Sequence, residues 1–321
     1  MNKNAHRLVY SRLRGMVMAV AETTTAEGKS VSGEARRVKR SSGMRAAALL
    51  ATSAVAGALS TAVQAQIVGA GPSAPAVIQT PNGLPQVNID KPGGSGVSVN
   101  TYNQFDVQKA GAILNNSATM VQTQLGGWIN GNPNFGPNDA ARIIVNQVNS
   151  PNPSRIRGAL EIAGARAELM LANPSGIYLD GAGFINTSRA TLTTGLPFYG
   201  ADGSLAGYNV SRGLVTVAGA GLNASNLDQV DIISRAVQSN AAIYAKNLNV
   251  IAGANQVNHD TLAATPIAGD GPVPAVAIDV AQLGGMYANR VFLVGNSAGV
   301  GVANAGTIAA QAGDLTLQSN G

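Results

Sequence analysis

Cysteine is absent from this 321-residue chain, and other features common in globular proteins are scarce. Without cysteine, no disulfide can stabilise the fold, and a cysteine nucleophile or thiolate metal ligand is excluded. Charged residues make up only 12% and aromatic residues 4%, so a bulky aromatic core is not expected. The low charge and the 45% hydrophobic content exclude intrinsic disorder. The 39 glycines suit close stacking of thin layers.

Histidine is also scarce, since the chain has only His6 and His259. A Ser-His-Asp arrangement therefore has few possible members, and His259 lies in a polar stretch that we predict to be an exposed loop. The carboxylates are scattered singly. Only Asp228 and Asp231 come near Arg235, where we predict a corner held by an ion pair. No P-loop or dinucleotide fingerprint is present, so we expect no enzyme activity, no cofactor and no metal site.

Positive charge is concentrated at the N-terminus. Residues 1–45 hold ten of the 21 Lys and Arg residues and three of the 16 Asp and Glu residues. Their net charge is therefore +7, and the remaining residues carry −2. Because nucleic-acid binding requires a basic face on the folded domain, we expect no nucleic-acid partner.

Residues 46–65 contain no charge and admit two interpretations, a transmembrane helix or the apolar part of a signal peptide. Ala, Ser, Thr and Gly dominate the segment, and the basic region precedes it. It ends in Val63-Gln64-Ala65, small residues of the kind that precede a signal cleavage site. We predict cleavage after Ala65, with a mature chain that starts at Gln66.

From residue 66 onward the apolar pattern has a period of two, which is typical of strands. Runs such as ARIIVNQV, GLVTVAG and RVFLVGN end in Gly or Asn or lead into turns. The best helix candidate, 158–172, contains Gly164, which weakens a helix by about 1 kcal/mol relative to Ala, so we predict strands there too. Similar blocks recur at roughly the 20 to 30 residues of one solenoid coil.

These observations predict an all-β fold. Outward-facing residues are mostly small, which favours a right-handed parallel β-helix, a single-stranded solenoid, over a sandwich. A solenoid needs terminal caps, so we expect N-terminal cap strands. The leader is expected to be helical or disordered.

Two Asn-Pro segments interrupt the strands, at Asn132-Pro133-Asn134-Phe135 and at Asn173-Pro174-Ser175-Gly176. Proline fixes φ at about −65° in the first central position of a type I turn, and the preceding Asn can cap the turn with its side chain. We predict that both segments are corners between strands. The alternative is that their residues contact a secretion partner directly.

With these motifs the chain resembles the secretion domain of two-partner secretion exoproteins, the family of the filamentous haemagglutinin. Phe135 stands where Leu is usual, and Ser175 replaces the second Asn. The resemblance covers about residues 95–315 and is carried by YNQFDVQKAGAILNNS, TQLGGWINGNPNF and NPSRIRGALEIAGARAELMLANPSGI. Residues 1–30 are similar to the extended signal peptide region of large exported proteins of Gram-negative bacteria.

The resemblance implies export through two membranes. The general secretory machinery and signal peptidase would act first. POTRA domains of a dedicated outer-membrane β-barrel transporter would then recognise the secretion domain in the periplasm. The protein would be secreted or displayed on the cell surface, where a host cell or a neighbouring bacterium would carry its receptor. The implied export determinants are Asn132, Pro133, Asn134, Phe135, Asn173, Pro174, Ser175, Gly176 and Ile177.

The function that the resemblance implies most often is adhesion of the filamentous-haemagglutinin type. The alternatives are the N-terminal part of a contact-dependent growth-inhibition toxin-delivery protein and a haemolysin or haem-utilisation exoprotein. A β-helix polysaccharide lyase or hydrolase would need clustered carboxylates, which this sequence lacks. We expect an extended signal peptide at 1–65, an irregular lead with cap strands at 66–100, the secretion β-helix at 101–305, and the start of a truncated repeat region at 306–321.

Overall fold

The computed structural model describes residues 6–11, 16–21, 66–296 and 300–319. Within these ranges, all the regular secondary structure is β-strand. The chain divides into two units, residues 1–60 and 61–321. In the first unit, β1 (His6–Ser11) and β2 (Met16–Ala21) pair antiparallel.

The pair β1–β2 corrects the expectation of a helical or disordered leader for the residues that it covers. Both strands are rich in residues that favour strands, such as Val9, Tyr10, Val17 and Val20. Of the predicted cleavage residues, Val63 and Ala65 lie outside the described residues, and Gln66 is the first residue of the described range 66–296.

The described strands of the second unit follow one another at short intervals. The first are β3 (Ile67–Gly69), β4 (Ala76–Gln79), β5 (Pro85–Asn88), β6 (Val97–Phe105), β7 (Ala112–Asn116), β8 (Val121–Thr123), β9 (Gly127–Ile129), β10 (Ile143–Val148), β11 (Ser154–Ile156), β12 (Ala159–Gly164), β13 (Ala167–Ala172), β14 (Ile177–Leu179), β15 (Ala182–Ile185) and β16 (Thr187–Thr193). The next are β17 (Leu196–Tyr199), β18 (Leu205–Val210), β19 (Leu214–Val217), β20 (Leu222–Ala224), β21 (Gln229–Ser234), β22 (Ala236–Ser239), β23 (Ala242–Ala245) and β24 (Asn247–Ala252). The last are β25 (Asn255–Asn258), β26 (Ala264–Pro266), β27 (Val276–Val280), β28 (Gly285–Ala288), β29 (Arg290–Gly295), β30 (Val300–Asn304), β31 (Thr307–Ala310) and β32 (Leu315–Ser319).

Most of these strands belong to three sheets that the chain visits in a fixed order. Sheet I is β3-β6-β10-β13-β16-β21-β24-β29-β32, sheet II is β11-β14-β19-β22-β27-β30, and sheet III is β4-β5-β7-β12-β15-β20-β23-β28-β31. From β10 the chain passes from sheet I to sheet II to sheet III and back, and successive strands within each sheet pair parallel. This arrangement confirms the predicted parallel β-helix.

Successive coils stack in register. Val145 pairs with Met170, and Asp231 pairs with Asn249, so these two coils span 25 and 18 residues. Because neighbouring residues of a strand point to opposite faces, Ile144 packs in the central core while Val145 faces outward. Each new coil therefore buries apolar side chains against the coil before it, which is the main favourable contribution to stacking.

A second layer covers the outer face of sheet I. Strands β17-β18-β25-β26 form an antiparallel sheet, here called the outer sheet, from insertions between β16 and β19 and between β24 and β27. Tyr208, Val210 and Val257 of the outer sheet cluster with Val145 and Met170 of sheet I. This cluster is separate from the central core, and the sequence pattern did not predict it.

Antiparallel strands also lie at the N-terminal end of the β-helix. Strand β3 pairs with β6 and β4 pairs with β5, so they end sheets I and III in the place expected for cap strands. The hairpin β8–β9 follows, and the buried Glu161 carboxylate accepts the N–H groups of Gln124 at 2.6 Å and Leu125 at 2.7 Å. Glu161 thereby fixes the hairpin turn to β12.

A corner at Gly164 explains why residues 158–172 do not form a helix. Strand β12 ends at Gly164, which has a φ of 83°. A Cβ at this position would lie 2.6 Å from the Cβ of Ser117 and 2.7 Å from the carbonyl oxygen of Asn116. Only glycine meets both demands without strain, and the prediction of strands on either side is confirmed.

Candidate functional site

Asn132 begins a tight turn on the connection from β9 to β10. The Phe135 N–H donates to the Asn132 carbonyl oxygen at 3.1 Å, which closes a four-residue β-turn. The Asn134 N–H donates to the Asn132 side-chain Oδ1 at 3.0 Å, which is an Asx cap. Pro133 occupies the first central position, where its restricted φ is suited to the turn.

The Asn132 amide also fastens this turn to two other segments. Its Nδ2 donates to the carbonyl oxygens of Ile89 at 2.8 Å and Asn115 at 2.9 Å. Asn132 is 2% exposed, so water cannot take the place of these two acceptors. The neighbouring Asn134 Nδ2 adds a bond to the Ile89 oxygen at 3.1 Å. The residue that follows β5 and strand β7 are therefore both held to the turn by side-chain amides.

An exposed ion pair reinforces the same connection. The Asp139 carboxylate lies 2.8 Å from Lys91 Nζ and accepts the Gly136 N–H at 2.6 Å. The hydrogen bond from Lys91, followed by that from Gly136, lowers the pKa of Asp139 below its ordinary value. Lys91 lies two residues after Ile89 in the sequence. The connection from β9 to β10 is therefore bound to the segment after β5 at two places, by the Asn132 amide and by the Lys91–Asp139 ion pair.

The second turn, between β13 and β14, uses the same atoms. The Gly176 N–H donates to the Asn173 carbonyl oxygen at 3.0 Å, and the Ser175 N–H donates to Asn173 Oδ1 at 2.9 Å. Asn173 is fully buried, and its Nδ2 donates to the Asn152 carbonyl oxygen and to Ser154 Oγ, both at 3.0 Å. One amide thus caps its own turn and binds the preceding coil.

Ser175, Gly176 and Ile177 carry the chain from this turn into sheet II. Ser175 Oγ donates to the Ser150 carbonyl oxygen at 2.9 Å, so serine retains a cross-coil contact at this position. Gly176 has a φ of 117°, a conformation that disfavours any residue with a Cβ. Ile177 is buried in the central core and pairs with Ser154 of the preceding coil.

The two turns occupy different environments. Pro133 is exposed and Phe135 is half-buried against the central core, whereas Pro174 is buried. The turns lie on different connections, and in the described part of the chain no hydrogen bond joins them. What they share is a buried asparagine whose oxygen shapes the turn and whose nitrogen binds a neighbouring segment.

A third asparagine corner was not predicted from the sequence. Asn186 separates β15 from β16 with a φ of 56°, and its Nδ2 donates to the carbonyl oxygens of Ile162 at 2.8 Å and Gly164 at 2.9 Å. Asparagine tolerates this left-handed conformation better than most residues. The position of an Asn between two strand-like runs could have indicated this corner, but no proline follows Asn186 as it follows Asn132 and Asn173.

A buried ionic cluster lies on the outer face of sheet I. The Asp231 carboxylate is fully buried and accepts hydrogen bonds from Arg189 Nε at 2.5 Å, Asn249 Nδ2 at 2.7 Å and Gln229 Nε2 at 2.9 Å. A buried charge is tolerated when it is paired and hydrogen-bonded in this way. The cluster therefore ties together strands from three successive coils.

His259 belongs to this cluster, so the prediction that it is exposed is wrong. It is 3% exposed, because the outer sheet folds back over sheet I. Arg189 Nη2 donates to the His259 carbonyl oxygen at 2.7 Å, and the ring Nε2 lies 3.4 Å from Glu168 Oε2. Burial, aided by Arg189, lowers the pKa of His259, and burial raises the pKa of Glu168 against the opposing effect of Arg189.

The predicted ion pair among Asp228, Asp231 and Arg235 is also wrong. Asp228 lies 2.9 Å from Arg166 and 3.6 Å from Lys246 at the surface, while Asp231 pairs with Arg189. Arg235 is buried, and its Nε has no hydrogen-bond partner. In a β-helix the neighbours of a side chain come from adjacent coils, so closeness along the chain is a poor guide to pairing.

Within the ranges that the structure describes, no group of three or more His, Cys, Asp or Glu side chains is placed to hold a metal ion. Those same ranges contain no helix long and apolar enough to cross a membrane. The candidate site consists of hydrogen-bonded anchors at the two turns, together with a buried ionic cluster.

The sequence model of the TPS secretion domain family matches residues 60–321, and that of the Extended Signal Peptide of Type V secretion system matches residues 1–64. The chain is 62% identical to the "tRNA nuclease CdiA-2" of Burkholderia pseudomallei (strain 1026b), across 100% of this chain and 10% of that protein. It is 44% identical to the "Toxin CdiA" of Yersinia pestis, again across 100% of this chain and 10% of that protein.

Among solved structures, the filamentous hemagglutinin secretion domain matches with a TM-score of 0.67 and 32% identity, across 80% of this chain and 98% of that one. The chain therefore shares both its sequence pattern and its fold with that domain. It spans about a tenth of the length of the curated relatives that it matches.

Proposed function

The chain belongs to the TPS secretion domain family, and on this premise we propose that its two Asn-Pro turns are required for export by an outer-membrane transporter. It is the secretion domain of a two-partner secretion exoprotein, which passes through the periplasm and reaches the Gram-negative cell surface. The proposed partners are the POTRA domains of the transporter, preceded by the general secretory machinery and by signal peptidase, which would cleave after Ala65.

The observation that supports this proposal is the paired use of a buried asparagine. Asn132 and Asn173 each accept a backbone N–H that caps the turn, and each donates two hydrogen bonds to residues outside the turn. The proposed determinants are the residues of the two turns, Asn132, Pro133, Asn134, Phe135, Asn173, Pro174, Ser175, Gly176 and Ile177. They would set the geometry of the early coils that the transporter meets.

Coil stacking itself would drive the outward movement of the chain. Each coil that forms outside the cell buries further apolar surface and completes a further ladder of backbone hydrogen bonds. Such a process is incremental, so a chain folded at its N-terminal coils would be hindered from moving back. The two turns are proposed to act at the start of this process, because both belong to the early coils.

Export of single variants tests the proposal. In a strain that carries the cognate transporter, we expect Asn132→Ala and Asn173→Ala to remain in the periplasm, and wild type to reach the medium. Asn223→Ala is the matched control, because the exposed Asn223 side chain bonds, among the residues that the structure describes, only to Ser225. Export of both buried variants at wild-type levels, or export of wild type without the transporter, would refute the proposal.

The exported cargo is proposed to be a toxin. The relatives named "tRNA nuclease CdiA-2" and "Toxin CdiA" support this role. It is the contact-dependent growth-inhibition alternative, in which the receptor is on a neighbouring bacterium. Their names describe proteins about ten times longer than this chain. We infer that residues 1–321 do not form the catalytic part. The purified chain is therefore expected to leave total tRNA intact, and tRNA cleavage by it would contradict the inference.

Adhesion is the second candidate function. The 32% identity and shared fold with the filamentous hemagglutinin secretion domain support it. The two candidates are separated by growth competition on a solid surface. A strain that expresses the whole protein would inhibit neighbours lacking an immunity partner if the cargo is a toxin, and would only attach to cells if it is an adhesin.

A further inference from the structure

The outer sheet is assembled from two insertions that lie far apart in the chain. Strands β17 and β18 come between β16 and β19, whereas β25 and β26 come between β24 and β27. Strand β18 pairs with β25, and Gln256 Nε2 donates to Asn209 Oδ1 at 3.0 Å across 47 residues of sequence. The hairpin β17–β18 is a local contact, whereas its pairing with β25 closes a loop that contains β19 to β24. Closing the long loop has the larger entropic cost.

The closed outer sheet spans several coils of the β-helix. The apolar cluster beneath it contains side chains from strands along sheet I, namely Val97 of β6, Val145 of β10, Met170 of β13, Ile233 of β21, Ile251 of β24 and Val294 of β29. In the turn between β17 and β18, the Gly203 carbonyl oxygen accepts a hydrogen bond from Ser95 Oγ at 2.9 Å, close to β6. Where the two insertions return to the β-helix, Ser211 Oγ donates to Asp270 Oδ2 at 2.7 Å. The outer sheet therefore links coils that are not neighbours in the stack.

Arg189 connects the outer sheet to the buried ionic cluster. This residue of β16 pairs with Asp231 of β21, and its Nη2 donates to the carbonyl oxygen of His259, which directly follows β25. With β25 away from sheet I, Arg189 would lose its bond to His259, and the apolar cluster would face water. Burial of the charged and apolar groups on this face is therefore complete only when the outer sheet is closed.

We propose that the outer sheet is a strap that closes after the coils beneath it have stacked and then locks them together. In a repeat fold, stability is approximately a sum of contacts between neighbours, so coils can open one after another from an end. A strap across several coils opposes this opening, because a coil beneath it leaves the stack only if the apolar cluster opens too. The strap goes beyond the role proposed for the two Asn-Pro turns, since neither turn contributes a strand to it.

Unfolding and refolding rates of the whole chain in urea test the order of closure. Val257→Ala removes a buried contact in the outer sheet, and Val215→Ala makes the same change in the central core. We expect Val257→Ala to unfold on the order of tenfold faster than wild type and to refold at nearly the wild-type rate. Val215→Ala should slow refolding, because coil stacking precedes closure. The proposal is overturned if the share of lost stability that appears in the refolding rate is as large for Val257→Ala as for Val215→Ala.

Engineered disulfides test the lock, since the chain contains no cysteine of its own. Asn209→Cys with Gln256→Cys would join the two insertions, whereas Leu196→Cys with Asn209→Cys would join only β17 to β18. Opposite residues of antiparallel strands lie about 4.5–5.5 Å apart, within reach of a disulfide.

A crosslink slows unfolding only where the strands that it joins separate before the rate-limiting step. Oxidation of the variant at positions 209 and 256 should slow unfolding at least about tenfold relative to its reduced form. Oxidation of the matched variant at positions 196 and 209 should change the unfolding rate by less than about twofold. Equal effects of the two crosslinks, or no effect of the first, would show that the outer sheet does not lock the coils.

Discussion

Replacement of Asn173 by Ala should destabilise the β-helix by about 3 kcal/mol. The side chain makes three hydrogen bonds, to the Asn152 carbonyl oxygen, to Ser154 Oγ and from the Ser175 N–H. Each such bond contributes about 1 kcal/mol net, and buried partners left unsatisfied cost at least as much. Because Asn173 is fully buried, water cannot replace these bonds without opening the corner.

Equilibrium urea unfolding followed by circular dichroism measures this change in free energy. Asn173→Asp is the informative comparison. It keeps the oxygen that caps the turn, but it places a carboxylate oxygen against the Asn152 carbonyl. We expect it to be at least as destabilising as Ala at neutral pH. The exposed control Asn223→Ala should lose less than about 1 kcal/mol. A loss below about 0.5 kcal/mol for Asn173→Ala would refute the proposed role of its amide.

Three further predictions concern the corner at Gly164 and the ionic cluster. Gly164→Ala should cost more than the roughly 1–3 kcal/mol of left-handed strain, because its Cβ would also meet Ser117; thermal unfolding measures this. Asp231→Asn should cost less in urea unfolding than the roughly 3–5 kcal/mol of an uncompensated buried charge, because Arg189 loses the carboxylate of Asp231 but keeps that of Glu168 at 3.7 Å. The free energy of unfolding should fall as pH falls through 6.5, because the pKa of His259 is lowered in the folded state and the unfolded chain takes up the proton first.

Each of these predictions has its own control. Gly271→Ala has a similar φ of 75° with nothing within 4 Å of the new Cβ, so it isolates strain from the clash. Arg189→Gln combined with Asp231→Asn should be less destabilising than the sum of the two single changes. His259→Gln should flatten the pH dependence near 6.5. At pH values below 6.5, the raised pKa of Glu168 has the opposite effect on the free energy of unfolding, because the folded state protonates Glu168 more readily than the unfolded chain does. A pH profile unchanged in His259→Gln would contradict the assignment.

Local features of the sequence were sufficient to predict the solenoid. The period-two pattern identified strands, and Gly164 in an apparent helix marked a corner between β12 and β13. Asn-Pro steps have few favourable conformations, so the turns at Asn132 and Asn173 could be placed before any tertiary contact was known. These signals concern single residues and their immediate neighbours, and they hold in any coil.

Contacts between coils could not be predicted in the same way. Asp231 pairs with Arg189, 42 residues earlier in the chain, rather than with nearby Arg235. The outer sheet was missed because a strand pattern does not reveal which strands pair or in which direction, and the outer-sheet strands pair antiparallel with one another. His259 was misplaced for the same reason, since its polar neighbours in the sequence are not its neighbours in space.

The most direct test of the central claim about the two turns compares the secreted fraction of each variant with its free energy of unfolding. The secreted fraction and the free energy of unfolding would be measured for wild type, Asn132→Ala, Asn173→Ala, Asn173→Asp and Asn223→Ala in the transporter-bearing strain. We predict that secretion falls in step with the stability lost at the buried asparagines and stays at the wild-type level in Asn223→Ala. Full secretion of variants whose corners are demonstrably destabilised would contradict the account.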